Sequence, residues 1–182
     1  MSKTYSVDLS TAGINELQTN LRNYKTWLKK KCQELCRRLA ETGAAVSAVY
    51  FETAPYDGIN DVLVRAYQKD GGWIVSANGN AVLFIEFGTG VHYPDEAPLG
   101  EYEGAAGMVH GSYGKGLGNN DYWFYTGQPG TAGGELATDP VTGYVHPNTT
   151  ITHGNPASMP MYNAVKELEM DFVQTVKEVF SS

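Results

Sequence analysis

A single carboxylate set inside an apolar run is the first candidate for chemistry. Glu86 lies in Leu83-Phe84-Ile85-Glu86-Phe87, and the run is broken by Gly88-Thr89-Gly90. An ionised side chain in such a setting is costly without a partner. With a second titrating group it could serve as a general acid or base, and His92 lies six residues on. A cytoplasmic hydrolase using Glu86 and His92 is therefore one reading of the chain. Nothing in the spacing joins the two, however, and a buried acid also anchors turns and interfaces. In the structural reading, Glu86 accepts backbone N–H groups of the Gly88-Thr89-Gly90 corner, or pairs with a base such as Arg65 at a subunit contact.

The remaining inventory is weaker. His92, His110, His146 and His153, with Asp95, Glu96, Asp121 and Asp139, are scattered along the chain. Their spacings match neither the two-histidine helical pattern of zinc hydrolases nor a clustered calcium loop. Gly114-Lys115-Gly116 lacks the spacing and strand-to-helix context of a phosphate-binding loop. Thr89 and Ser112 have no nucleophile-elbow setting. Cys32 and Cys36 stand one turn apart on a predicted helix, and the reading adopted for them is a pair of small core or boundary residues. No catalytic, cofactor-binding or metal-ligating residue is assigned.

The chain has 182 residues, enough for one domain with a real core over residues 1–182. Its net charge of −7 argues against sequence-independent nucleic-acid binding as the main task. The positive charge that exists is crowded: Lys29, Lys30, Lys31, Arg37 and Arg38 share one helix. This is either a solvated face or a local basic surface facing an acidic partner or DNA inside a ring. No apolar run nears the roughly 20 residues needed to cross a bilayer, so no membrane partner is expected. The first residues lack the apolar core of a signal peptide, and a cytoplasmic origin is expected.

The elements that must position these residues follow from periodicity. Tyr5, Val7 and Leu9 alternate as in a short strand. Ser10 or Thr11 can cap a long helix marked by Ile14, Leu17, Leu21, Tyr24, Leu28, Leu35 and Leu39, which Gly43 interrupts and which can resume until Pro55. Asp61 to Gln68 and Trp73 to Ala77 form a predicted hairpin turning at Gly71-Gly72. Ala81 to Phe87 is a buried strand or a short helix. Between Gly88 and Gly134 glycines and tyrosines alternate without period, apart from Tyr122-Trp123-Phe124-Tyr125; strand character returns near Thr142 to Thr152. Met161, Val165, Leu168, Phe172, Val176 and Val179 mark the face of a final helix started by Ser158 and Pro160. The expected class is α+β: an antiparallel sheet of about four strands flanked by the two terminal helices, both covering the same sheet, with a Gly/Tyr-rich loop insertion at about 91–154.

Two of these segments carry a resemblance. The hydrophobic-Glu-Phe-Gly-Thr corner at Ile85 to Thr89, and Pro156-Ala157-Ser158-Met159-Pro160-Met161 opening the last helix, resemble the tail-completion (neck) proteins of long-tailed bacteriophages. Ala54-Pro55-Tyr56-Asp57-Gly58 before the strand pair fits the same pattern; the length of the Gly90 to Gly154 insertion departs from the short members. The resemblance implies a structural virion protein of the neck, assembled in the host cytoplasm as a ring, commonly six-fold. Its implied partners are copies of itself, a head-closure or connector protein, and a tail terminator or tail-tube protein, with DNA passing through the lumen. A tail terminator capping the tube, in a phage or a contractile tail-like particle, is the neighbouring alternative. Structural and interface candidates are Glu86, Phe87, Gly88, Thr89, Gly90, Tyr93, Tyr113, Trp123, Tyr125 and Pro160.

Overall fold

A computed structural model describes residues 8, 10–90, 122–155 and 157–181. The expected first strand at Tyr5 to Leu9, the candidates Tyr93 and Tyr113, and the residues His92 and His110 lie outside these.

Ser10 starts the first helix, α1 (Thr11–Thr53), its hydroxyl oxygen accepting the Gly13 N–H at 3.2 Å. The interruption expected at Gly43 is absent: α1 passes through it and runs unbroken over its whole 43 residues. Gly43 is buried there, and a Cβ at this position would stand 2.9 Å from Leu168 Cδ1 and 3.7 Å from Val75 Cγ2. The missing side chain is what lets two other elements approach α1. Ala54 turns to extended backbone before Pro55, which disfavours helix in the residue preceding it.

Strands β1 (Leu63–Lys69) and β2 (Gly72–Asn78) form an antiparallel hairpin that packs on α1. The turn is Asp70-Gly71, with φ of 52° and 80°, and Gly72 is already paired with Lys69 in the ladder. Two successive positive φ values match the right-handed twist of the strands, and Asp-Gly is a favoured pair for that geometry. The turn is therefore one residue earlier than Gly71-Gly72. Ala81 to Phe87 resolves into a short helix, α2 (Val82–Phe87).

The remaining strands are β3 (Thr89–Gly90), β4 (Trp123–Thr126), β5 (Glu135–Thr138), β6 (Val145–Thr152) and β7 (Gly154–Asn155). They build a three-stranded antiparallel sheet of order β4-β6-β5 and a short β3-β7 pair, so the strands are shared among separate small sheets. β4 and β6 lie where strand character was expected. The β5–β6 register shifts between Leu136 and Thr138, and Pro147 falls in β6 across from that irregularity. A residue without an N–H is tolerated in a central strand only at such a break. The connection is an Asp-Pro turn in which Asp139 Oδ1 accepts the Val141 and Thr142 N–H groups, both at 2.8 Å.

The last helix, α3 (Pro160–Ser181), runs antiparallel along α1. Tyr50 donates its hydroxyl to Glu167, Arg38 stands 3.9 Å from Glu178, and the Trp27 and Phe180 rings meet edge to face at 5.9 Å. α3 thus packs chiefly on α1, where the sequence suggested that both helices would cover one sheet. A two-stranded hairpin is too narrow to seat two helices side by side. The apolar core gathers Phe51, Ala54, Ala81 and Ile85, with Val62, Val64, Ala77 and Met161 around them. Among the described residues, no helix is long and apolar enough to cross a membrane.

Candidate functional site: the Glu86 junction

Helix α3 begins awkwardly. Met159, in the cap position, has φ of 49°, a conformation few L-residues adopt. Its first helical residue is Pro160, whose fixed φ suits that place and which has no N–H to satisfy. The next two N–H groups have no partner within the helix. Both are taken by Glu86: Oε2 accepts from Met161 at 2.9 Å and Oε1 from Tyr162 at 3.2 Å. The fourth, Asn163, donates to the Met159 carbonyl at 2.9 Å and starts the helical ladder. Every N–H of the first turn is thereby accounted for: Pro160 has none, Glu86 takes two, and the helix itself takes the third.

The relation is reciprocal. α2 is too short to satisfy its own last carbonyls, and the segment before α3 does so. The Ser158 N–H donates to Ile85 O at 3.0 Å, the Met159 N–H to Glu86 O at 3.1 Å, and the Asn155 amide to Phe84 O at 2.9 Å. Gly88 ends α2 with φ of 74°, turning the chain into β3, where Thr89 pairs with Asn155 and Gly90 with Gly154. The corner and the last-helix segment, far apart in sequence, are one junction.

Glu86 is buried, with 7% of its surface exposed. Burial pushes its carboxyl above the ordinary value, while the Met161 and Tyr162 N–H groups pull the other way. Its acceptor role is as expected, but its donors are not: they belong to α3 and not to the Gly88-Thr89-Gly90 corner. No ion pair to Arg65 forms among the described residues. The role expected of Ser158 in starting α3 passes to Glu86; Ser158 contributes its backbone, and its carbonyl accepts the Asn163 amide at 3.0 Å.

Two further acids follow the same pattern, and sequence reasoning missed both. Asp57 Oδ2 accepts the Thr152 hydroxyl at 2.7 Å and Oδ1 the Ala132 N–H at 3.1 Å, tying the α1–β1 connection to the three-stranded sheet. Asp61 accepts the Asn80 N–H and amide, both at 2.9 Å, and the Ala81 N–H at 3.0 Å. These donors hold its carboxyl below the ordinary range. The signal that could have found them is local: each follows a turn or an Asn and precedes a strand, where Asp commonly binds backbone. All six carboxylate oxygens of Asp57, Asp61 and Glu86 thus accept internal bonds.

Two hollows flank α2. One of 440 Å³ is lined by Tyr56, Asp57, Asp61, Phe84, Tyr125 and Asn155, among others. Tyr125, one of the sequence candidates, is on this wall, its hydroxyl donating to Gln128 O at 2.8 Å. Burial, with the Asp61 charge behind it, pushes the Tyr56 hydroxyl up. The other hollow, of 160 Å³, lies between Glu86, Phe87, Met159, Met161, Tyr162 and Val165. The structure thus brings Glu86, Phe87 and Pro160 together, with Gly88, Thr89 and Gly90 leading away in β3. Trp123 is placed in β4 opposite Thr152, apart from that group. Among the described residues no group of three or more His, Cys, Asp or Glu is arranged to hold a metal. Compared with known families, curated proteins and solved structures, the chain matches none of them.

Proposed function

We propose that this chain is a structural subunit of a bacteriophage neck, completing the tail and joining it to the head-side connector as one member of a ring. The observation that carries the reading is the Glu86 junction. The two segments on which the resemblance to tail-completion proteins rests are 75 residues apart at Glu86 and Met161, and they meet through two hydrogen bonds. Motifs that a family shares by chance have no reason to be joined by the acid of one capping the helix of the other.

The chemistry of the acids supports the same reading. Glu86 is buried, with each oxygen accepting a backbone N–H at the start of α3, and Asp57 and Asp61 likewise accept donors from distant segments. Such carboxylates hold elements in register. The ring partners are then other copies of the chain, a connector-side protein above and a tail terminator or tube protein below. Lys29 and Lys30 of α1 face acidic neighbours or DNA in the lumen, while Arg37 and Arg38 are held by Glu34 and Glu41.

The test is genetic and morphological. A stop codon early in the gene should yield filled heads and separate tails in electron micrographs of lysates, and supplying the intact chain should restore joined particles. Normal joined particles from the stop-codon strain would refute the assignment. Tails of uncontrolled length would instead favour a terminator that caps the tube.

A further inference from the structure

The stripe on α1 that α3 covers continues past the end of α3. Contacts between the helices run from Tyr50–Glu167 to Trp27–Phe180, and Ser181 closes α3. The 14 residues of α1 from Thr11 to Tyr24 extend beyond that point, about 20 Å of helix at 1.5 Å per residue. Ile14, Leu17, Leu21, Tyr24 and Leu28 follow steps of three and four, the spacing of a seam made for another helix. Ile14 is 43% and Leu21 50% exposed.

A second uncovered stripe lies on α3. Val165, Glu169, Phe172 and Val176 repeat at four, three and four residues, and Val165 and Phe172 are 44% and 45% exposed. At its N-terminal end it opens on the apolar hollow of Phe87 and Met161. Neither seam is covered by another element among the described residues, and two apolar seams of helical period on one chain can cover each other between copies.

Charge selects the pairing. Thr11 to Lys31 carries Arg22, Lys25, Lys29, Lys30 and Lys31 against Glu16 alone. α3 carries Glu167, Glu169, Asp171 and Glu178 against Lys166 and Lys177; Glu167 and Glu178 are turned to Tyr50 and Arg38 of the same chain, while Glu169 lies in the outer seam. Pairing α1 with α1 of another copy would set cations against cations, whereas α1 on α3 sets them beside Glu169 on a helix of net negative charge. Glu169, an acid within an otherwise apolar seam, stands 3.3 Å from Lys166 in an exposed pair, and a flanking Lys25 or Arg22 of the next copy would share it.

We infer that the projecting N-terminal turns of α1 in one copy dock on the outer face of α3 in the next copy. This rests on the ring reading above and names the surfaces that close the ring. The contact is head-to-tail, so each copy donates one surface and accepts with the other; such contacts close into a ring when the rotation between copies permits.

The full chain is tested by sedimentation at rising concentration, with Leu21→Glu and Phe172→Glu as variants and thermal melting as the folding control. Each substitution should weaken self-association at least tenfold, about 1.4 kcal/mol, at little cost in melting temperature. Lys25→Glu and Glu169→Lys should each weaken it, and the double charge swap should restore it. In a chain carrying Cys32→Ser and Cys36→Ser, Leu21→Cys with Phe172→Cys should cross-link on oxidation into a ladder beyond dimer. Dimers from Leu21→Cys alone, association unchanged in Leu21→Glu, or a parent chain monomeric at every concentration would each overturn the contact. If the chain is found in purified particles while Leu21→Glu still assembles, this contact is wrong and the neck reading stands. If the ladder forms but the chain is absent from particles, the contact stands and the neck reading fails.

Discussion

The Glu86 carboxylate accepts the Met161 N–H at 2.9 Å across 75 residues of sequence. It binds the only two early N–H groups of α3 that Pro160 and the helical ladder leave over. Glu86→Gln keeps the shape but turns one acceptor into a donor that faces a buried N–H. The expected loss is about 1–3 kcal/mol of folding stability, measured by chemical denaturation. Glu86→Ala, which leaves both N–H groups without an acceptor, should lose more. Equal stability of all three proteins would remove the capping role.

The same carboxyl sets a pH dependence. Its folded-state value is raised above the ordinary 4.5, so the folded protein holds this proton more tightly than the unfolded chain. The stability it contributes is fully present below pH 4.5 and is lost as pH rises through the folded value. The gap between parent and Glu86→Gln should therefore narrow as pH increases above 4.5. Asp61 acts in the opposite sense, its folded value lying below the ordinary 3.8. Its contribution is present above pH 3.8 and lost as pH falls through the folded value, so Asp61→Asn should differ least from the parent in acid. Melting curves from pH 3 to pH 8, an interval that brackets the ordinary carboxylate values, separate the two.

Gly43 and Leu168 should behave as a coupled pair. Replacing Gly by Ala in a helix gains roughly 0.5–1 kcal/mol. Here the new methyl meets Leu168 Cδ1 at 2.9 Å, so the side chain must move and the gain is offset. With Leu168→Ala in place the obstruction is gone and the full helical gain should appear. A double-mutant cycle is expected to give a coupling of about 0.5–3 kcal/mol, and an additive result would mean the helices do not meet at this point.

Gly130 is a harder limit. A Cβ there would lie 2.0 Å from the Tyr56 carbonyl oxygen, backbone that cannot rotate aside. Gly130→Ala should destabilise by more than the about 1–3 kcal/mol usual for overpacking. Hydrogen exchange should locate the damage at the neighbouring Thr131–Tyr56 bond, which spans 2.8 Å in the parent. Protection unchanged at both residues would contradict the close approach.

Legibility followed the range of the interactions. The two terminal helices, the hairpin and the strand character of β4 and β6 were visible, because side-chain period and capping are local signals. That Glu86 accepts backbone donors was also visible, since an acid among Leu83, Phe84, Ile85 and Phe87 has few other ways to be buried. Which donors it takes was not, because Met161 and Tyr162 come within reach only once α3 is docked. Gly43 misled for the same reason: its lack of a side chain serves Leu168 and Val75, and neither is near it in sequence. The hairpin turn was misplaced by one residue because Gly71-Gly72 outweighed the stronger pair Asp70-Gly71. β5 went unnoticed because Glu135-Leu136-Ala137-Thr138 is short and pairs only with β6.

Whether the chain is built into a particle as a ring is decided by quantitative mass spectrometry of purified particles, with a tube protein and a connector protein as internal references. As a ring subunit the chain should be present in every preparation at a small fixed copy number, equal to the symmetry of one ring and far below that of the tube protein. Absence from particles that are infectious and joined would contradict it.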